Sequence, residues 1–278
     1  MTIPFVKTQA LGNDFILVEQ SAASAGTSRP FPELAQRICH RQFGVGADGL
    51  ILWRPEDALF DLRIINRDGS EAECSGNGLR CVAAYLIESG LWPKPEIQLR
   101  TVSGVYRLRR QGAQYEADMG KPHLVPAEIP FVPSRPMDRV VDEPFTVGAD
   151  QVRITACSTG NPHCSLFVDR IDSEYVNRIG PAIEWHPAFP NRTNVEFIRV
   201  INDHEIEVAF WERGVGRTFA SGTGSCGATV ASILNGKTGR CVTVHTEAGT
   251  LTVEWGSDER LMLTSTASVV AEGMYLEA

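Results

Sequence analysis

Short apolar runs rich in β-branched and aromatic residues, bounded by Gly, Asn, Asp and Pro, fill most of this chain, which is the pattern of strands. Strands are expected at 3–8 and 15–19 around the polar turn LGND, with Asn13 in the turn, then over LILWR (50–54) and DLRIIN (61–66). Residues 97–110 and 113–119 read as a hairpin. The second half repeats the plan, with strands at 151–157, 164–168, 195–201, 204–211, 241–246 and 250–255, and a closing pair at 260–265 and 268–277. Helices are few. PELAQRICHRQ has Pro32 at its start, a short helix falls near 173–179, and LRCVAAYLIESG is apolar around most of its circumference, so it should be buried. CGATVASILNG is the corresponding helix of the second half. Residues 20–32 read as a surface loop, and the Pro-rich stretch 121–145 as a connection.

Each apolar helix is preceded by the same device. NRDGSEAECSGNGLRC (66–81) and ERGVGRTFASGTGSC (212–226) are polar runs that end in Ser-Gly-x-Gly. A Gly-rich turn opening a helix presents backbone N–H groups and the positive end of the helix dipole, which suits a carboxylate or phosphate. Ser75 and Ser221, and again Asn66 and Glu212, stand 146 residues apart; LGN and TGN, and the Thr-x-x-Gly of RTVSG and HTEAG, keep nearly that offset in the same order. A duplication producing two similar domains, with the two turns related by an approximate two-fold axis, accounts for this ordering. The expected division is 1–120, rejoined by the last strand 268–278, and 121–267.

Composition narrows the chemistry. At 278 residues there is room for two domains, each with its own core, and a net charge of −8 without any basic run excludes the electrostatic footprint of a nucleic-acid binder. Arg107, Arg109 and Arg110 alternate along an expected strand and read as a solvated face. Seven cysteines, with no C-x-x-C pair, argue against a disulfide framework or a zinc site, and no stretch approaches the length of a membrane-spanning helix. A reducing cytoplasm is the expected home. The expected partner is a small molecule, neither nucleic acid nor membrane, with a homodimer left open.

In order along nearly the whole chain, LGNDF, FGVGADGLI, NRDGSEAE with GNGLRC, TGNPHC, NRTNVEF and ERGVG resemble the diaminopimelate epimerase family. The resemblance implies an α+β fold of two pseudo-symmetric domains, each a strand barrel around a central helix, with the ligand in the interdomain cleft. It implies inversion of an amino-acid α-carbon by two-base proton transfer, with no pyridoxal phosphate, no other organic cofactor and no metal. It carries substrate binding onto Asn13, Asn66, Asn161, Asn194, Glu212 and Arg213, the last two suited to the distal ammonium and carboxylate, and gives His163 a supporting place. The N–H groups around Gly76, Asn77, Gly222 and Thr223 would hold the carboxylate of the reacting centre. Gly49 stands where some relatives carry Gln.

Ser75 and Ser221 take the places where the resemblance calls for the two catalytic cysteines. A hydroxyl is a far weaker acid than a thiol and a poor proton-abstracting group unless a neighbour activates it; Ser at a helix entrance also serves simply as a cap. Cys74 could replace Ser75 only by a one-residue slip of its loop, because adjacent side chains of an extended segment point to opposite sides. Cys81 and Cys226, inside the helices, read as buried structural thiols. Three accounts stay open: an epimerase whose catalytic cysteines were replaced deliberately, which binds but turns over very slowly; a natural serine variant whose hydroxyls are activated locally and still epimerise, or which reacts on one face only, as a dehydratase or isomerase of the same superfamily would; and a non-catalytic amino-acid binding or regulatory protein.

Overall fold

A computed structural model describes residues 2–277. The chain is α+β and divides into two compact units, Met1–Ala117 with Ser265–Ala278, and Asp118–Thr264. Among the described residues, five α-helices, Gln20–Gly26 (α1), Phe31–Ile38 (α2), Gly76–Glu88 (α3), Ser173–Glu184 (α4) and Gly222–Leu234 (α5), and one 3-10 turn, Pro126–Glu128, are set among many strands. No helix among the described residues is long and apolar enough to cross a membrane.

In the first unit, Thr2–Ala10 pairs antiparallel with both Asn13–Glu19 and the returning strand Ser268–Leu276. Asn13–Glu19 then runs parallel to Gly49–Glu56, which turns back into Leu59–Asn66; this strand pairs with Glu71–Ala72 and, in parallel, with Glu96–Thr101. Gly104–Gln111 and Gln114–Asp118 complete the meander. The second unit repeats every step. Asp150–Ser158 pairs with Val140–Val147 and Pro162–Phe167, then come the parallel partner Asn194–Asn202, the return Glu205–Glu212, the short Gly216–Thr218, the parallel Cys241–Thr246, and Gly249–Trp255 with Leu261–Thr266. Long crossovers are needed wherever strands run parallel. They carry α1 and α2, and then α3, in one unit, and α4, and then α5, in the other.

The apolar helices occupy equivalent places. α3 lies against Thr2–Ala10, Asn13–Glu19, Gly104–Gln111 and Ser268–Leu276, and α5 against the strands of its own unit from Asp150–Ser158 to Gly249–Trp255. Each is buried along most of its length, from Gly78 to Leu86 and from Gly224 to Ser232. α2 and α4 pack separately, under cores built on Ile16, Leu34, Ile38 and Leu50 in one unit and on Val176, Ile179, Ile183 and Phe197 in the other.

Several expected elements are corrected. The Gly-rich Ser-Gly-x-Gly stretches are not turns ahead of their helices but their first turns, so α3 starts at Gly76 rather than near Leu79 and α5 at Gly222 rather than at Cys226. Asn13 is the first residue of a strand, and Leu11-Gly12, at φ 50° and 78°, make the turn. Residues 20–32 are not a loop: α1 forms there because Ala23 and Gly26 are buried, Gly26 so close to Ile3 that a Cβ would lie 2.5 Å from Cγ1. α2 begins at Phe31 and stops at Ile38, short of Gln42. The run 97–110 is two strands, broken at Gly104 with φ 138°. The Pro-rich stretch contains Val140–Val147, and α4 continues through Pro181 to Glu184.

Candidate active site

Ser75 caps α3. Its backbone is extended, at φ −143° and ψ 113°, and its Oγ accepts the N–H of Gly78 at 3.1 Å. α3 presses here on the strand behind it: a Cβ at Gly78 would lie 2.8 Å from Ile51 Cδ1 and 3.3 Å from Ser75 Oγ, so a larger residue would require the Ile51 side chain to shift. The first intrahelical bond is Leu79 N to Ser75 O, so the N–H groups of Gly76 and Asn77 fall in the turn that has no helical acceptor. Asn77 Nδ2 donates to Asn13 Oδ1 at 3.2 Å, and Asn13 Nδ2 to Asp48 Oδ2 at 2.7 Å. Asp48 also accepts from Arg41, which reaches Asp14 as well, and Lys7 pairs with Asp14 at 2.6 Å. Asn13 is therefore anchored by a charged cluster of Lys7, Asp14, Arg41 and Asp48 that the sequence reading missed; the clue was LGNDF and GVGADG, each carrying an Asp beside its turn.

Asn66 closes its strand and donates from Nδ2 to Ser70 Oγ at 3.0 Å. Gly49 is buried, and a Cβ there would sit 3.0 Å from the Ile65 carbonyl and 3.3 Å from the Phe15 ring, so the strand has little room for a side chain at this point. Cys74 does not take the cap position. Burial pushes its thiol pKa up, against the opposing hydrogen bonds of Tyr106 and Ser103, which leaves it poorly suited to proton transfer at neutral pH.

The second unit places Ser221 in the same way. It caps α5 at φ −138° and ψ 124°, and its Oγ accepts the N–H of Gly224 at 3.2 Å. Here the hydroxyl has a further partner, since it donates to Glu212 Oε2 at 3.1 Å while Thr218 Oγ1 donates to Glu212 Oε1 at 2.6 Å. Thr218 was not anticipated. Asn161 receives His163 Nε2 on its Oδ1 at 2.9 Å and reaches Thr223 Oγ1 at 3.5 Å, which brings it to the first turn of α5.

Behind Asn161 runs a buried chain. His163 Nδ1 lies 2.6 Å from Glu196 Oε1, and Ser165 donates to Glu196 Oε2 at 3.1 Å. Burial raises the Glu196 carboxyl pKa, and the neighbouring His163 works against that rise. Glu196 too was missed, although it is the one charge in the apolar strand segment VEFI. Asn194 is 5% exposed and acts as a brace: Nδ2 donates to the Pro162 carbonyl at 2.9 Å and Oδ1 accepts Arg213 N at 2.9 Å. Arg213 itself donates from Nη1 to the Asn191 carbonyl at 3.1 Å.

Each unit thus presents a hydroxyl, a pair of helix N–H groups and a hydrogen-bonded asparagine, Asn13 through Asn77 in the first and Asn161 in the second, at one helix entrance. Such a set can hold a carboxylate and offer an O–H beside it. A concavity of about 580 Å³ in the second unit, lined by Asp142, Arg153, Tyr175, Asn235, Lys237 and neighbours, includes none of these groups.

The sequence profile described as diaminopimelate epimerase matches residues 5–125 and 155–270. A diaminopimelate epimerase of Pelotomaculum thermopropionicum is 47% identical over 277 residues, with 98% of each chain covered. That of Moorella thermoacetica is 46% identical over 276 residues, covering 97% of this chain and 98% of its own. Among solved structures, a hydroxyproline epimerase from Agrobacterium vitis with bound trans-4-hydroxy-L-proline matches at a TM-score of 0.67 with 15% identity, over 100% of this chain and 93% of that one. A phenazine biosynthesis PhzF-family protein from Enterococcus faecalis matches at 0.67 with 13% identity over 99% of each chain; at these identities both likenesses concern the fold.

Proposed function

This chain belongs to the diaminopimelate epimerase family, and on that premise we propose that it interconverts LL- and meso-diaminopimelate by cofactor-independent proton transfer, with Ser75 and Ser221 in the two acid/base places. The observation that carries the reading is the repeated pair of serine-capped, glycine-opened helices, one in each unit. Inversion at carbon needs one group to take the α-proton and another to deliver a proton to the opposite face, so the reaction requires both hydroxyls at one carbon. When the C–H bond breaks, its electron pair delocalises into the α-carboxylate. The N–H groups of Gly76, Asn77, Gly222 and Thr223 are suited to that growing charge.

Hydroxyls make this a slow enzyme. An alcohol gives up its proton far less readily than a thiol, and only Ser221 donates to a carboxylate, that of Glu212. Glu212 and Arg213 are assigned to the distal ammonium and carboxylate of the ligand, the guanidinium being able to grip a carboxylate in two places. Seven free thiols support a reducing compartment, the cytoplasm. The asymmetry between Ser75 and Ser221 favours a second reading, proton removal on one face alone, as a dehydratase or isomerase would need.

Proton NMR of LL-diaminopimelate in heavy water tests both, run on the chain as it stands and on a Ser75→Cys, Ser221→Cys double variant. The expected result is loss of the α-proton signal and formation of the meso isomer with the double variant, and much slower change with the serine chain. Exchange without any meso isomer supports the one-sided reading. No exchange by either protein removes the substrate assignment.

A further inference from the structure

We propose that Glu184 is a positioning residue for ligand selectivity, anchoring the 212–216 turn that carries Glu212 and Arg213; the proposal rests on the assignment of those two residues to the far end of the ligand. Glu184 is the last residue of α4 and is 3% exposed. Three N–H donors converge on its carboxylate. Trp211 Nε1 reaches Oε2 at 2.8 Å, and Gly214 N at 2.9 Å and Arg192 Nη1 at 3.3 Å both reach Oε1. Trp211 comes just before Glu212 and Gly214 just after Arg213, so two of the three donors bracket the pair. Val215 N closes the turn onto the Glu212 carbonyl at 3.0 Å.

The helix is shaped to bring the carboxylate to this point. One turn earlier, a Cβ at Gly180 would lie 2.6 Å from Trp211 Cγ, so α4 seats directly on the indole. Arg192, held by Glu184, also stacks 4.6 Å from the Trp185 ring, which ties the following loop to the helix end. An ionised carboxylate only accepts hydrogen bonds and can serve all three donors. A carboxamide in the same place would turn an N–H towards either the indole or the Gly214 amide, whichever way it is flipped. The turn would then leave its seat, and Arg213 with it.

The test combines calorimetric titration with LL-diaminopimelate and amide hydrogen exchange on Glu184→Gln, Trp211→Phe and Arg213→Ala. Glu184→Gln is expected to weaken binding by roughly tenfold or more and to speed exchange at Gly214 while the α5 amides keep their protection. In the background of the Ser75→Cys, Ser221→Cys double variant it should raise KM by a similar factor and lower kcat far less than Glu212→Gln does, because Thr218 still holds the Glu212 carboxylate. Trp211→Phe keeps the Gly214 contact and should bind within about threefold of the parent. Unchanged binding and unchanged Gly214 exchange in Glu184→Gln, with binding lost in Arg213→Ala, overturns the proposal. If Arg213→Ala binds as the parent does, the far-end assignment falls and takes the selectivity role of Glu184 with it.

Discussion

Ser221 donates its hydroxyl to Glu212 Oε2 at 3.1 Å while accepting the Gly224 amide, so one oxygen joins the helix cap to a carboxylate. Glu212 ends the strand that returns from Asn194–Asn202, and its counterpart in the first unit, Asn66, ends the equivalent strand and donates to Ser70 instead. The two repeats therefore agree in backbone and differ in proton chemistry. In the chain carrying cysteine at both cap positions, Glu212→Gln is expected to slow α-proton exchange of LL-diaminopimelate by roughly a hundredfold. Deuterium incorporation followed by NMR reads this directly. A rate unchanged at saturating ligand would leave Glu212 as a binding contact only.

The caps themselves carry stability. Ser75→Ala removes the acceptor for Gly78 N and is expected to cost about 1 kcal/mol in urea denaturation. Ser221→Ala should cost more, because Glu212 also loses a donor beside a 5% exposed position. Equal losses at the two sites would mean that the Ser221–Glu212 bond adds nothing to folding.

How much of this was readable from the sequence depends on how local the cause is. Ser75 and Ser221 were recognisable as a pair because a helix cap is written in a few adjacent residues, and the 146-residue offset repeats it. The roles of Asn194 and Glu196 were not, since alternation along one strand says only that they face oppositely to Val195; that Asn194 braces Arg213 and Glu196 meets His163 depends on neighbours far along the chain. α1 was hidden because seven Ser-, Ala- and Gly-rich residues have no apolar stripe, and packing against Ile3 decides their shape. α4 was cut short at Pro181, a residue that usually ends a helix; here the helix runs on and Glu184 finds its donors beyond it.

Acid should loosen the first unit through Asp14. Burial alone would raise its pKa, but the hydrogen bonds and charges of Arg41 and Lys7 outweigh burial and bring it from 3.8 to about 2. A carboxyl whose folded pKa is depressed adds stability that is complete above its unfolded value and is lost as the pH falls through its folded one. The window is therefore from about pH 4 down to about pH 2. Denaturation midpoints across that range should fall more steeply for the parent than for Asp14→Asn. Parallel slopes would show that other carboxylates dominate acid unfolding.

Gly227 tests how rigidly the amide chain at α5 is held. It lies in the second turn of the helix, and a Cβ there would approach His163 Cβ and Cγ to 2.9 Å, closer than side chains tolerate. His163 has little freedom to yield, being fully buried, 2.6 Å from Glu196 on one side and 2.9 Å from Asn161 on the other. Gly227→Ala offers a gain from higher helix propensity, about 1 kcal/mol, against an overpacking cost of about 1–3 kcal/mol. The cost should win, because the obstruction is a ring fixed at both nitrogens rather than the end of a flexible chain. The variant is expected to be less stable in urea, and to bind LL-diaminopimelate more weakly as displacement of His163 moves Asn161 away from Thr223. A Gly227→Ala chain as stable as the parent and equal in affinity would mean that His163 can shift without disturbing Asn161, and would remove the chain from Glu196 to Thr223 as a support of the site.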